Sequence, residues 1–190
     1  MSYNDLPDST RTLFPPGGWK ECAVGGIEYP WMDLGPLKGY TNAFIVRYGK
    51  ILLGMKKRGF GVGKINGFGG KVDPGETSLE AAVREMEEEA GIRAPLTWAG
   101  MLIFVLQGQE KVFHCDVYRA ESFEGEVIET DEMRPAWYAV SDIPYPQMWA
   151  DDPYWLPLLV AGVPFVGRAD FGKDEAGEFV MRRWWVGKQA

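Results

Sequence analysis

Strand-length apolar runs stand at 41–46 (TNAFIV) and 51–55 (ILLGM), divided by a turn at 48–50, and predict a β-hairpin that enters the core. The period changes at 77–90. There Leu79, Ala82, Val83, Met86 and Ala90 recur along one stripe, which predicts an amphipathic helix with that stripe toward the core. Thr77 and Glu80 have the spacing of a capping box, and Gly91 stands where a left-handed residue ends a helix. Further strands are predicted at 96–105, 111–119 and 134–140. A second helix is expected to begin at Asp152 with Pro153 in its first position, Pro157 then requiring local adjustment. The tail 178–186 (EFVMRRWWV) reads as a closing strand.

Residues 1–38 are rich in proline, glycine and aromatics and hold no sustained period. They are expected to form an irregular extension with room for one short strand or hairpin, its Trp19, Tyr29 and Trp31 packed onto a domain spanning 39–190. Strands on both sides of a central helix, joined by turns too short for repeated crossovers, indicate an α/β sandwich with mixed sheets rather than a doubly wound fold.

Composition narrows the function classes. The 190 residues are 46% hydrophobic and 25% charged, a balance that supports a packed fold. Twenty Lys and Arg against 27 Asp and Glu give a net charge of -7 without a basic run, which argues against binding long nucleic acid. A small phosphorylated ligand remains compatible, because a bound divalent cation reverses the local sign of an acidic pocket. Cys22 and Cys115 show no metal or C-x-x-C spacing, so a disulfide framework is not expected and a reducing compartment fits best. No stretch approaches 18 apolar residues, and the N-terminus lacks both an apolar segment and an arginine-rich, acid-poor character. The expectation is a cytoplasmic monomer without membrane insertion, a nuclear or organellar fraction being left open.

The predicted helix also carries chemistry. Glu85, Glu88 and Glu89 lie at i, i+3 and i+4, roughly opposite the apolar stripe, so three carboxylates are expected on one patch. Such a cluster is self-repulsive unless compensated, and Mg²⁺, which favours carboxylate and phosphate oxygens, suits it better than zinc. The plainer reading of the helix alone is a solvated acidic face. The sequence before it shifts the balance: Gly69–Gly70 permits close backbone approach, Glu76 precedes the helix, and Arg84 has a planar fork able to orient carboxylates.

From 70 to 92, GKVDPGETSLEAAVREMEEEAGI resembles the Nudix box in full: Gly70, five residues, Glu76, seven residues, Arg84–Glu85, an apolar residue, any residue, Glu88–Glu89, any residue, Gly91 and an apolar residue. The wider segments MKKRGFGVGKINGFGGKVDPGET and ETDEMRPAWYAVSDIPYPQMWADDPYWLPLL resemble the oxidised purine nucleoside triphosphatases of that family, over approximately residues 40–186. The resemblance implies an α/β/α sandwich with a mixed β-sheet. It implies Mg²⁺-dependent hydrolysis of nucleotides such as 8-oxo-dGTP and 2-hydroxy-dATP to monophosphate and diphosphate, with Mn²⁺ as a substitute ion. Other nucleoside diphosphate derivatives (dinucleotide polyphosphates, nucleotide sugars, RNA caps) and a non-catalytic nucleotide-binding role are the alternatives.

Carried onto this sequence, the resemblance implies a metal shell of the Gly69 carbonyl with Glu85, Glu88, Glu89 and Glu132. It implies Glu89 as general base, with Glu132 the other candidate, Glu85 mainly a ligand, and Arg84 as an orienting group. The implied substrate contacts are Thr41, Lys56, Asn66, Phe68, Gly69, Gly70, Lys71, Phe104, Trp149, Ala150, Asp151 and Asp152. Chemically, Asn66 can donate and accept at a base edge, Trp149 can stack, and a singly protonated Asp151–Asp152 pair offers both donor and acceptor. For Asp152, capping of the helix at Pro153 is the competing explanation. Departures from the family pattern fall at Ile65, Leu106 and Phe113, which leaves base preference less determined than reaction class.

Overall fold

At Tyr48–Gly49 both residues have positive φ (51° and 69°), and a two-residue loop of that handedness matches the right-handed twist of paired strands. It closes the hairpin expected from the apolar runs: β2 (Leu37–Arg47) pairs antiparallel with β3 (Lys50–Lys56), Arg47 opposite Lys50. The computed structural model describes residues 3–190. The remaining elements in chain order are α1 (Asp8–Arg11), β1 (Trp19–Gly25), β4 (Ile65–Asn66), α2 (Ser78–Ala90), β5 (Ile92–Arg93), β6 (Thr97–Leu106), β7 (Val112–Ala120), β8 (Glu124–Gly125), β9 (Met133–Ala139), α3 (Asp152–Val160), β10 (Phe165–Lys173) and β11 (Phe179–Gln189). Among the described residues, no helix is long and apolar enough to cross a membrane.

The chain forms two compact units. The first contains the described residues up to Lys38, Ala99–Cys115 and Pro153–Ala190. In it β11 runs antiparallel to both β1 and β10, and β10 runs parallel to β6, so the sheet is mixed. Its core includes Leu6, Phe14, Met101, Ile103, Val166 and Trp185, with Trp19 and Trp31 packed against it. The segment before residue 38 thus contains regular structure and contributes to a core. Tyr29 stays 38% exposed, with the Arg182 guanidinium over its ring.

Strand β10 was absent from the sequence expectation. Its sequence FVGRADFGK mixes glycines with charges, yet every residue except Lys173 is buried. The pattern fails because the two charged side chains satisfy each other: Arg168 donates to both carboxylate oxygens of Asp170, at 2.7 and 2.9 Å. Burial of charge is tolerated only with such pairing.

The second unit contains Gly39–Trp98 and Asp116–Asp152. Strand β3 pairs antiparallel with β2, β4 and β9. Helix α2 packs Ala82, Met86 and Ala90 into a core with Ala43, Ile45, Leu52, Phe68 and Met133. The expected apolar stripe needs correction at Leu79, which is 41% exposed, while Ala81 is fully buried. Leu79 lies in the first turn, where the helix enters from solvent, so periodicity overstates the width of the buried face.

Candidate active site

Helix α2 is fixed at both ends by its own sequence. Thr77 and Glu80 form a reciprocal capping box, and Gly91 adopts the left-handed conformation at φ 73° with its N–H bonded to the Glu87 carbonyl. This sets the register of the acidic residues. Arg84 then gathers them. Its guanidinium donates to Glu76 at 2.7 and 3.2 Å, to Glu85 at 2.9 Å, to Glu88 at 3.3 Å and to the Lys71 carbonyl at 3.2 Å. The Arg84 hydrogen bonds hold Glu76 below its ordinary range, and the carboxylates raise Arg84 further, so it stays charged.

The three α2 glutamates, expected on one patch from their spacing, differ sharply in burial. Side-chain exposure is 60% for Glu88, 15% for Glu85 and 1% for Glu89. Glu89 turns toward the strands and meets Lys56 Nζ at 3.3 Å and the Gly69 N–H at 2.9 Å. Burial pushes its carboxyl up to about 7, Lys56 and the Gly69 N–H pulling down and Glu85 adding to the rise. Glu85 is also raised, chiefly by burial with Arg84 opposing. One lysine at the edge of hydrogen-bond length only partly offsets the removal of Glu89 from water.

Two glycines make the close approach possible. A Cβ at Gly69 would lie 2.0 Å from the Thr41 carbonyl oxygen, and one at Gly70 would lie 2.3 Å from a Glu85 carboxylate oxygen. The 66–72 loop lies along β2, with Thr41 N–H bonded to the Gly70 carbonyl and Phe68 exchanging both backbone bonds with Ala43. From a distant part of the sequence, Thr130 Oγ1 donates to the Glu89 carbonyl and accepts from the N–H groups of Glu132 and Met133. That network anchors the Glu132 turn at the end of α2. The Glu132 carboxylate itself pairs with Arg58.

The second group of predicted residues surrounds Trp149. Phe60 stacks on its ring at 5.4 Å and 18°, and Lys64 Nζ lies 5.6 Å from the ring centroid while donating to the Met148 carbonyl at 3.1 Å. Asp151 and Asp152 are both buried. Asp152 Oδ2 accepts the Trp149 N–H at 2.8 Å, reaching back along the chain from the start of α3. Its carboxyl is raised well above 3.8 by burial first and by Asp151 second, with the Trp149 N–H and Lys64 opposing. Burial and the neighbouring Asp151 together favour the protonated form of the Asp152 carboxyl.

A Nudix domain model matches residues 40–159. The chain belongs to the Nudix family. It is 47% identical over 132 residues to the oxidized purine nucleoside triphosphate hydrolase of Danio rerio, covering 69% of this chain and 85% of that protein. It is 41% identical over 133 residues to the Mus musculus protein of the same name, covering 70% and 85%. The mutator MutT protein of Bacillus halodurans superposes with a TM-score of 0.63 over 79% of this chain and 97% of that one, at 24% identity, and so shares the fold.

Within this Nudix chain the structure brings Lys56, Gly69, Gly70, Glu85 and Glu89 together, with the Glu132 turn attached through Thr130. Phe68 points its side chain into the core, whereas Lys71 and Ala150 are exposed. Phe104 belongs to the first unit, where it packs with Phe113 against Leu106, Ala169 and Phe171. Among the described residues no three His, Cys, Asp or Glu side chains converge as a ligand cluster, and Arg84, Lys56 and Arg58 pair with the carboxylates. The donor set nonetheless fits a hard divalent cation: all oxygen, two glycines clearing the approach, and a buried glutamate short of compensation. Sequence reasoning passed over Phe60 and Lys64, although both stand in the glycine-rich loop it singled out. It also passed over Asn42, whose neighbour Thr41 it had named. The Thr41 Oγ1 and Asn42 Oδ1 atoms are buried without hydrogen-bond partners, an arrangement that costs about 1–3 kcal/mol for each group.

Proposed function

We propose that this Nudix chain hydrolyses oxidised purine nucleoside triphosphates, such as 8-oxo-dGTP and 2-hydroxy-dATP, to the monophosphate and diphosphate, removing damaged precursors from the nucleotide pool. The observation that carries the chemistry is Glu89: a buried, under-compensated carboxylate beside the Gly69–Gly70 backbone in an array organised by Arg84. The activity for which the zebrafish and mouse relatives are named supports the substrate class.

Magnesium bound by the Gly69 carbonyl and by Glu85, Glu88, Glu89 and Glu132 would supply charge neutralisation along the phosphate chain and polarisation of the attacking water. Arg84 orients Glu85 and Glu88 through its fork, so that their oxygens are positioned before substrate arrives. Glu89 accepts the proton of the attacking water, and its burial excludes competing solvent from that transfer. Lys56 places a positive charge beside Glu89 for a phosphate oxygen. Asp151, Asp152 and Asn66 read the purine edge, and Trp149 stacks on its face.

Product analysis with 8-oxo-dGTP, 2-hydroxy-dATP, dGTP, a dinucleotide polyphosphate and a nucleotide sugar, with and without Mg²⁺, tests this reading. Release of diphosphate chiefly from the oxidised purines is the expected result. Preference for a dinucleotide or sugar nucleotide would move the chain to another Nudix substrate class, and no hydrolysis of any member would defeat the enzymatic reading.

A further inference from the structure

The Asn42–Asn66 pair fixes a hydrogen-bond polarity that the amide of Asn66 alone would leave open. The Gly67 N–H meets Asn66 Oδ1 at 2.8 Å, and a backbone N–H can only donate, so the atom facing it is the oxygen. Asn42 Nδ2 meets the same oxygen at 2.9 Å. Both acceptor positions of Asn66 are therefore filled from within the protein. Among the described residues its amide nitrogen has no protein partner, and it is not fully buried, so its N–H groups are open to a ligand.

Asn42 bears the consequence. With its nitrogen committed to Asn66, its own oxygen lies buried and unpaired, packed so closely on Gly67 that a Cβ there would approach it to 2.3 Å. Asn42 itself stands on β2 between Thr41 and Ala43, both held by backbone bonds to the 66–72 loop, so the strand cannot yield to relieve it.

We propose that Asn42 is a specificity-determining positioning residue that locks Asn66 as a hydrogen-bond donor, biasing the site toward purines that present a carbonyl, rather than an exocyclic amine, to Asn66. This rests on the proposed function, in which Asn66 faces the base edge. A 6-oxopurine such as 8-oxo-dGTP offers Asn66 an acceptor; a 6-aminopurine such as 2-hydroxy-dATP sets donor against donor at this one contact and is therefore the poorer of the two substrates.

The test compares kcat/KM for 8-oxo-dITP and 8-oxo-dATP, which differ at the 6-position and the adjoining ring nitrogen, in the wild type, Asn42→Leu and Asn42→Asp, with thermal melts to establish folding. The wild type should favour the 6-oxo substrate by about tenfold or more, the scale of one mismatched hydrogen bond. Asn42→Leu removes one of the two donors holding Asn66 and should lower the ratio. Asn42→Asp replaces a donor by an acceptor, draws the Asn66 nitrogen inward and should lower the ratio further. Ratios within twofold of wild type in both folded variants would overturn the proposal.

A second readout does not need turnover. In protein labelled with ¹⁵N-asparagine, the Asn42 side-chain amide protons should exchange slowly with solvent and those of Asn66 rapidly. Equal, rapid exchange at both would overturn the pair even in an active enzyme. An inert wild type with the expected exchange pattern would instead defeat the proposed function and leave the lock standing as a structural feature, its specificity role overturned.

Discussion

Arg168–Asp170 in the first unit and Lys56–Glu89 in the second are both ion pairs with a buried acid, and burial raises both acids. They differ in how completely the charges are met. Arg168 holds Asp170 with two nitrogens, donates to Thr10 Oγ1 at 2.6 Å and to the Met32 carbonyl, and Asp170 also accepts the Met32 N–H at 2.7 Å. Trp31 stacks over the guanidinium at 4.8 Å. Glu89 has a single lysine at 3.3 Å and one backbone N–H. A closed network ties residues 10 and 31–32 to β10 and has no capacity left for a ligand. The open pair keeps charge in reserve for a cation or a proton.

The largest effect should come from breaking the open pair. Glu89→Gln is expected to lower kcat by roughly 10²- to 10⁴-fold, the range for a lost general base, while the chain still unfolds cooperatively at an unchanged or higher temperature. Steady-state kinetics beside thermal melts would show it. Near-full turnover at saturating Mg²⁺ would remove Glu89 from the mechanism.

Breaking the closed pair should do the reverse. Asp170→Ala leaves the Arg168 guanidinium buried and unpaired, at a cost of about 3–5 kcal/mol in denaturant unfolding, with activity per folded molecule retained. Replacing Arg168 by Met and Asp170 by Leu together should recover most of that loss. If the single and double variants are equally unstable, the network beyond the pair, through Thr10 and Met32, carries the stability instead.

Asp152 sharpens the comparison through pH. Its folded-state carboxyl lies above its unfolded value of 3.8, so the folded chain keeps a proton that the unfolded chain has released. Stability on this account is highest below that value and falls as pH rises toward the folded one, by at most about 1.4 kcal/mol per pH unit for one proton. Urea unfolding from pH 4 to 8 should show the slope in the wild type and its flattening in Asp152→Asn. An unchanged slope would place the proton elsewhere. The smallest expected effect is Thr77→Ala, which removes the α2 cap for about 1 kcal/mol and should reduce stability with little change in kcat.

Helix α2 and the hairpin at Tyr48–Gly49 were readable because their signals are local. A cap, a glycine stop, an apolar period and a turn act over a few residues, so neighbours in sequence are the neighbours that matter. The same locality misled at Leu79 and Glu89. Spacing gives the angle of a side chain around the helix, but only packing decides how far the buried arc extends, and here it takes in a glutamate and leaves out a leucine.

The sequence by itself determined the family, the carboxylate-bearing helix and the glycines that let backbone approach it, since each is written in contiguous residues whose chemistry is local. Tertiary structure decided which glutamate loses water, that Thr130 ties the Glu132 turn to α2, that Asp152 reaches back to Trp149, and that a glycine-broken, charged segment becomes the buried strand β10. The physical reason is that the energy of a buried charge or amide is set by the partners around it in space, and those partners come from parts of the chain that no local pattern connects.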